Sequence, residues 1–218
     1  ISGSLKLIYD LKKYNFEKVF IFNSSLRYKL ISKFAGIKNI YQYPLFEKKY
    51  QPVIHAAQNF LKNKLDLNVE SNPKIKISDQ DFNNSTKKFN IKKDQLNILL
   101  GIGGSGSTKR IPTNIFLQFM NLVMMEKKNS RFFLATGKNE EEQKILNEIL
   151  KSKFSKECVA LDNLNLKEIL PVIKNCNISV CNDSSFSHLS AALNIPTIVL
   201  MADTPLLYGN YSPQMFPI

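Results

Sequence analysis

The stretch Ile178-Ser-Val-Cys-Asn-Asp-Ser-Ser-Phe-Ser-His-Leu-Ser-Ala-Ala-Leu-Asn-Ile-Pro-Thr-Ile-Val-Leu200 decides the fold. Residues 178–181 form an apolar run long enough for a buried strand and too short for a helix. In 184–193, Phe186, Leu189 and Leu193 recur at helical spacing, and Asp183 or Ser184 can cap the first free N–H groups. Residues 197–200 are strand-like again, directly after Pro196. Strand, helix, strand is a βαβ unit, whose two strands lie parallel in one sheet.

The alternation continues outward. Going back along the chain, 166–174 reads as a helix, 158–161 as a strand, 139–150 as a helix with an acidic first turn, and 131–135 as a strand. Pro112 opens a helix reaching 127, with Ile115, Phe116, Phe119, Leu122 and Val123 on one face, and 96–100 is a short apolar strand. Further forward, helices are predicted over 4–14, 26–35, 53–65 and 79–89, and strands over 18–22, 39–43 and 74–77. The polar segment 90–95 is the expected hinge, dividing a domain 1–92 from a domain 93–218. The class is α/β, with parallel sheets.

Composition narrows the function. At 218 residues, 44% hydrophobic and 22% charged, the chain can bury one large core or two small ones and is not disordered. Cys158, Cys176 and Cys181 are too few and wrongly spaced for a disulfide framework or a zinc site, and they fit a reducing compartment. Residues 1–13 lack the basic–apolar–small order of a secretion leader. A cytoplasmic protein is therefore expected. The net charge is +12, yet 27 of the 30 basic residues are Lys, and Arg is what bidentate base contacts favour. A nucleic-acid partner is accordingly not expected. Residues 1–109 hold 19 basic against 8 acidic residues, and 110–218 hold 11 against 10. The excess in the first half is either a partner-facing surface or a solvated lysine coat.

In parallel sheets ligands bind beyond the carboxyl ends of the strands. One such end carries Gly101-Ile-Gly-Gly-Ser-Gly-Ser-Thr-Lys-Arg110, whose N–H groups, hydroxyls and two cations suit an anion. Gly101, Gly103 and Gly106 match a dinucleotide fingerprint by spacing, but the next strand ends Ala135-Thr136-Gly137 without the acid that fingerprint requires. The lysine also follows in the wrong order for a P-loop. A second end is Asp183-Ser-Ser-Phe-Ser-His188, where Ser184, Ser185 and His188 share one face of the first helical turns at the positive end of the dipole. It lacks a nucleophile elbow, so it is a poor match to a serine hydrolase, and an ordinary capped helix with a surface His is the competing reading. The third end, Met201-Ala-Asp-Thr-Pro205, is a wall of the same cleft or only a turn. His55 reads as structural or surface, and Met120, Met124 and Met125 as helix packing.

These two loops resemble those of the bacterial lipopolysaccharide heptosyltransferase family, glycosyltransferases of the two-domain GT-B type. The first family signature, a glycine/serine loop ending Lys-Arg/His-Trp-Pro, appears as Ser105-Gly-Ser-Thr-Lys-Arg-Ile-Pro112, with Ile111 for Trp. The second appears as Asn182-Asp-Ser-Ser-Phe-Ser-His-Leu-Ser-Ala-Ala-Leu-Asn-Ile-Pro196, followed by Ala202-Asp-Thr-Pro205. Ser184 and Ser185 stand where the family has Thr and Gly. The resemblance is strong over 96–213 and weaker but collinear over 1–95.

The resemblance implies a pair of Rossmann-like domains, the first truncated and the second without its terminal helices. It implies a nucleoside-diphosphate-sugar donor, ADP-heptose-like, and transfer of the sugar, heptose, to a phosphorylated lipopolysaccharide core acceptor. Ser105, Ser107, Thr108, Lys109, Arg110, Thr136, Gly137, Asp183, Ser184, Ser185 and His188 are the expected donor-binding residues. The carboxylate base is expected ahead of Ile1, so no catalytic residue is named. No cofactor and no metal are expected. A monomer is expected, cytoplasmic and in peripheral contact with an anionic membrane surface at the inner membrane. The competing readings are a GT-B transferase using another donor sugar and a non-catalytic nucleotide- or polyanion-binding module.

Overall fold

The computed structural model describes residues 2–43, 52–70, 72–206, 209 and 211–218, and it divides into two compact units, Ile1–Ser71 and Asn72–Ile218. In the first unit, α1 (Ser2–Tyr14) precedes β1 (Lys18–Ile21), α2 (Leu26–Phe34), β2 (Asn39–Gln42) and α3 (Val53–Leu65). β1 and β2 pair in parallel as a two-stranded sheet. Gly36, with φ of +86°, takes the left-handed conformation after α2 that a glycine adopts without a Cβ penalty. Phe60 of α3 is buried edge-on against Phe22 and Tyr43, with ring centroids at 5.4 and 5.2 Å.

The second unit is a six-stranded parallel sheet. Its chain order is α4 (Asp79–Lys88), β3 (Leu96–Gly101), α5 (Thr113–Glu126), β4 (Ser130–Ala135), α6 (Glu140–Leu150), β5 (Cys158–Ala160), α7 (Leu166–Lys174), β6 (Ile178–Asn182), α8 (Ser185–Ala192), β7 (Thr197–Leu200) and β8 (Met215–Pro217). In space the strands run β5-β4-β3-β6-β7-β8. This is the doubly wound order, which builds one way from β3 and then the other from β6. Side chains alternate across the sheet. Ile98, Leu100, Phe132 and Leu134 pack with Phe116 and Met120 of α5 and Leu146 and Ile149 of α6. Leu99, Phe133, Ala135 and Cys181 pack on the other face with Ile169, Val172 and Ile173 of α7. Coverage on both faces explains why these strands read as unbroken apolar runs.

At the centre β3 and β6 approach closely: Gly101 pairs with Cys181, and a Cβ on Gly101 would stand 2.7 Å from the Cys181 Sγ. Burial pushes the Cys158 and Cys181 thiols up to about 12 and raises Cys176 as well, so all three remain protonated packing groups at neutral pH.

Several expectations are corrected. Residues 74–77 keep an in–out alternation, Ile75 and Ile77 packing on the core, but they pair with no strand. The Ile75 N–H donates instead to the Ala192 carbonyl at the end of α8, at 2.8 Å. The segment 72–92 therefore belongs with the second unit, whereas the sequence division fell at 92. α4 lies on α7, where the Thr86 hydroxyl meets Asn175 Oδ1 at 2.9 Å. The expected hinge 90–95 is tied down as well. Ile91 is buried, Arg131 donates to the Phe89 and Asn90 carbonyls, and Asn97 Nδ2 donates to the Lys92 and Gln95 carbonyls. Met120 and Met124 pack in the core as expected, whereas Met125 is exposed. Strand β8 was not anticipated; it is three residues long, Pro213 lies two residues before it and Pro217 ends it, and it sits at the sheet edge.

α7 begins with a full capping box, Asn165 Oδ1 accepting from the Glu168 N–H and Glu168 Oε2 accepting from the Asn165 N–H. Asn165→Ala is expected to destabilise the second unit by about 1 kcal/mol. A shift of the urea midpoint at constant m-value checks it.

Candidate functional site

The strand order reverses between β3 and β6, and both loops singled out in sequence lie at the carboxyl ends of those strands, where sheets of this kind leave a crevice for ligands. The β3–α5 loop crosses toward β6 through Lys109, which ends a 3-10 turn at Ser107–Lys109. Lys109 Nζ donates to Asp183 Oδ2 at 2.6 Å, and the Thr204 hydroxyl, beyond β7, donates to the same oxygen at 2.6 Å. Thr108 donates to Asp203 Oδ2 at 2.7 Å, so two side chains of one loop bridge to the ends of β6 and β7. The third strand end is thus a wall of this cleft.

The electrostatics follow from the pairing. The hydrogen bond to Asp183 raises the Lys109 ammonium above its ordinary value against the opposing effect of burial, with the Asp183 and Asp203 charges adding to the rise. Burial opposes ionisation of Asp183, but the bonds from Lys109 and Thr204 and the Lys109 charge outweigh it and lower its carboxyl. Both groups are charged at neutral pH. His188 Nδ1 lies 2.6 Å from the Tyr211 hydroxyl, and the two rings stack with centroids at 5.5 Å. Burial, followed by the opposing pull of Asp183 and the push of Lys109, leaves the imidazole below its ordinary value.

The other side of the loop is built around a residue the sequence reading passed over. Glu142, on the first turn of α6, is buried. Its Oε1 accepts from the Gly104 N–H at 3.0 Å, and its Oε2 accepts from the Thr136 hydroxyl at 3.0 Å and from the Gly137 N–H. Burial disfavours its charge, yet the bonds from Gly104, Asn139, Gly137 and Thr136 prevail and hold the carboxyl below its ordinary value. A Cβ on Gly103 would stand 2.8 Å from Glu142 Oε2, so this glycine makes room for the chain's own carboxylate. Glu142 thus serves the loop's own donors, and not as the ribose-binding acid of a dinucleotide fingerprint. Its signal was present, since Glu142 stands four and seven residues before Leu146 and Ile149 on the buried face.

The expected donor residues fall into three groups. Lys109, Asp183 and His188 are together at the crevice. Thr136, Gly137 and Arg110 are structural partners of the loop: Thr136 and Gly137 hold Glu142, and Arg110 donates to the Gly104 carbonyl at 3.1 Å and to Glu141. Ser105, Ser107, Thr108 and Ser185 are exposed, and of these Thr108 alone spends its hydroxyl on a side chain, Asp203. Ser184 precedes α8 without capping it, and its hydroxyl is buried with no partner among the described residues. Tyr211 is not singled out in sequence, and Thr204 only as part of the third strand end. The chain's Asp-x-Asp pair, Asp79-Gln-Asp81, lies in the first turn of α4, where Ser78 caps the Asp81 N–H. Among the described residues no group of three or more His, Cys, Asp or Glu is gathered as a metal site.

Comparison with known proteins matches residues 19–216 to the model of Glycosyltransferase family 9 (heptosyltransferase). Lipopolysaccharide heptosyltransferase 1 of Campylobacter coli is 27% identical over 122 residues, which is 55% of this chain and 35% of that protein. The matched stretch thus spans about a third of the curated relative's length. Among solved structures, Escherichia coli ADP-heptose LPS heptosyltransferase II superposes with a TM-score of 0.72 at 18% identity, covering 100% of this chain and 72% of the other. Escherichia coli heptosyltransferase WaaC with ADP-2-deoxy-2-fluoro heptose gives 0.65 at 14% identity, covering 100% and 70%. At these identities the structures share the fold, and the family match over nearly the whole chain gives the kinship: the protein belongs to glycosyltransferase family 9, the heptosyltransferases.

Proposed function

We propose that the crevice between β3 and β6 binds the diphosphate of a nucleoside-diphosphate sugar, and that the protein transfers the sugar, heptose, to a lipopolysaccharide core acceptor. The observation that carries this reading is the Lys109–Asp183 pair at the point where the strand order reverses. A lysine and a helix N-terminus converge there on one space, and both stabilise negative charge developing on a leaving diphosphate. Family membership supports the reaction type, and WaaC, a structure of the same fold, was solved with an ADP-heptose analogue. In this reading the acceptor is a phosphorylated glycolipid, met by the basic excess of residues 1–109 in peripheral contact with an anionic membrane surface on the cytoplasmic side. No helix of the described residues is long and apolar enough to cross a membrane.

The reading is tested by calorimetric titration of the chain with ADP and with ADP-heptose, and by release of ADP when the intact protein is given ADP-heptose and a lipopolysaccharide core acceptor. Saturable one-site binding with acceptor-dependent ADP release is the expected result. Nucleotide binding without acceptor-dependent release would leave a binding module, and no binding would remove the donor site.

A further inference from the structure

The one polar contact of His188 among the described residues is with Tyr211, and it constrains where protons sit. The Tyr211 hydroxyl meets Nδ1 at 2.6 Å with the two rings stacked at 16°. Two arrangements satisfy that contact when the imidazole is neutral. Either the hydroxyl donates to a bare Nδ1 and Nε2 carries the ring proton, or Nδ1–H donates to the phenol oxygen and Nε2 is bare. In the second arrangement the half-buried phenol must send its own proton elsewhere, and no other acceptor for it exists among the described residues. In the first, the phenol proton is used and Nε2–H is left without a partner among those residues. The first arrangement satisfies more of the groups present.

The groups facing the ring favour a neutral imidazole. Burial acts most against a second proton, Asp183 acts for it and Lys109 against it, and the balance is a lowered affinity for that proton. Asp183, held by Lys109 and Thr204, pulls the other way, and burial together with Lys109 outweighs it. Tyr211 remains a phenol, because burial raises its hydroxyl above the ordinary value.

We infer that Tyr211 is a positioning residue that fixes His188 as the neutral Nε2–H tautomer, making it an uncharged hydrogen-bond donor to an anionic oxygen of the ligand in the crevice. A neutral donor adds a directed bond to a diphosphate without a second cation beside Lys109. A bare Nε2 would instead turn a lone pair toward that oxygen and repel it. The inference rests on the donor-site reading for the identity of the anion, but not for the tautomer.

The test is nitrogen-15 NMR of the imidazole rings. The chain has two histidines, His55 and His188, so His55→Gln leaves a single ring to observe. In the ligand-free protein, Nδ1 is expected to show the shift of an unprotonated acceptor and Nε2 that of an N–H. Tyr211→Phe keeps the stacked ring and removes only the hydroxyl. The tautomers then mix, and the His188 titration midpoint rises by roughly half a unit to one unit, because a bond to the neutral form has been lost. Affinity for ADP falls by roughly 3- to 10-fold at pH 7.5. A wild-type ring protonated on Nδ1, or a tautomer and midpoint indifferent to Tyr211→Phe, overturns the inference. Unchanged ADP affinity beside the expected tautomer change overturns the donor role. Absence of ADP binding in the wild type would instead defeat the donor-site reading, and the tautomer result would stand by itself.

Discussion

Lys109→Ala is expected to weaken ADP binding by about 10- to 100-fold, the loss of one charge-assisted hydrogen bond to a phosphate oxygen. The magnitude comes from the ammonium's position. Lys109 ends a 3-10 turn that holds it over the crevice, its side chain is only about a quarter exposed, and Asp183 and Thr204 fix the geometry opposite. A fully solvated lysine would contribute far less. Lys109→Arg separates charge from shape. It keeps the cation but replaces a compact ammonium with a broad planar fork, which cannot reproduce the single 2.6 Å contact to Asp183 without moving the loop. Its affinity should lie between those of the wild type and the alanine variant. Calorimetric titration of ADP at fixed ionic strength checks both, and an alanine variant that binds ADP like the wild type would remove Lys109 from the site.

The second large effect is on stability. Glu142→Ala leaves the Gly104 and Gly137 N–H groups and the Thr136 hydroxyl without their shared acceptor, at a cost of about 3 kcal/mol or more to the second unit. Glu142→Gln should fall between. Its one carbonyl oxygen can serve the Thr136 and Gly137 donors, but its NH2 must then face the Gly104 N–H, donor against donor. The pH dependence gives an independent check. The folded-state carboxyl is held below its ordinary value, so its stabilisation is complete above about pH 4.3, the unfolded value, and is lost as pH falls through the lower folded value. In Glu142→Gln that part of the acid loss should vanish and the acid limb become shallower. Urea midpoints from pH 3 to 7 test it, and an acid limb as steep as the wild type's would show that Glu142 does not carry it.

The helices and strands of the second half were legible because each carries a clean period. Phe116 and Met120, like Ile169, Val172 and Ile173, fall on buried helical stripes, and Ile98 with Leu100 alternates against Leu99. Those periods report burial, and burial alone does not name the partner. Ile75 and Ile77 alternate as a strand does, yet they lie against a helix end. Glu142 shows the same limit from the other side. An acid among three in a first turn looks like a helix-dipole device until the loop it turns toward is placed. The sequence marked Lys109, Asp183 and His188 correctly as neighbours in space because all three hang from adjacent strand ends. Tyr211 was invisible, since it lies outside any periodic element and its relation to His188 depends on the edge of the sheet. For Arg110, the sequence shows a cation in a glycine loop but not the contacts that its guanidinium makes to Gly104 and Glu141.

The latch across the mouth of the crevice has a consequence for selectivity. Lys109 is matched by Asp183, with the Asp203 carboxylate, held by Thr108, close by, so the ammonium already has anionic company. Under the proposed function, binding a diphosphate would swap one anion for another. A stray phosphate or sulfate gains little by evicting a carboxylate already 2.6 Å from the ammonium. Under the proposed donor reading, a ligand that also brings a base, a ribose or a sugar would have the further contacts needed to displace it. The same bridge would therefore act as a filter against small anions.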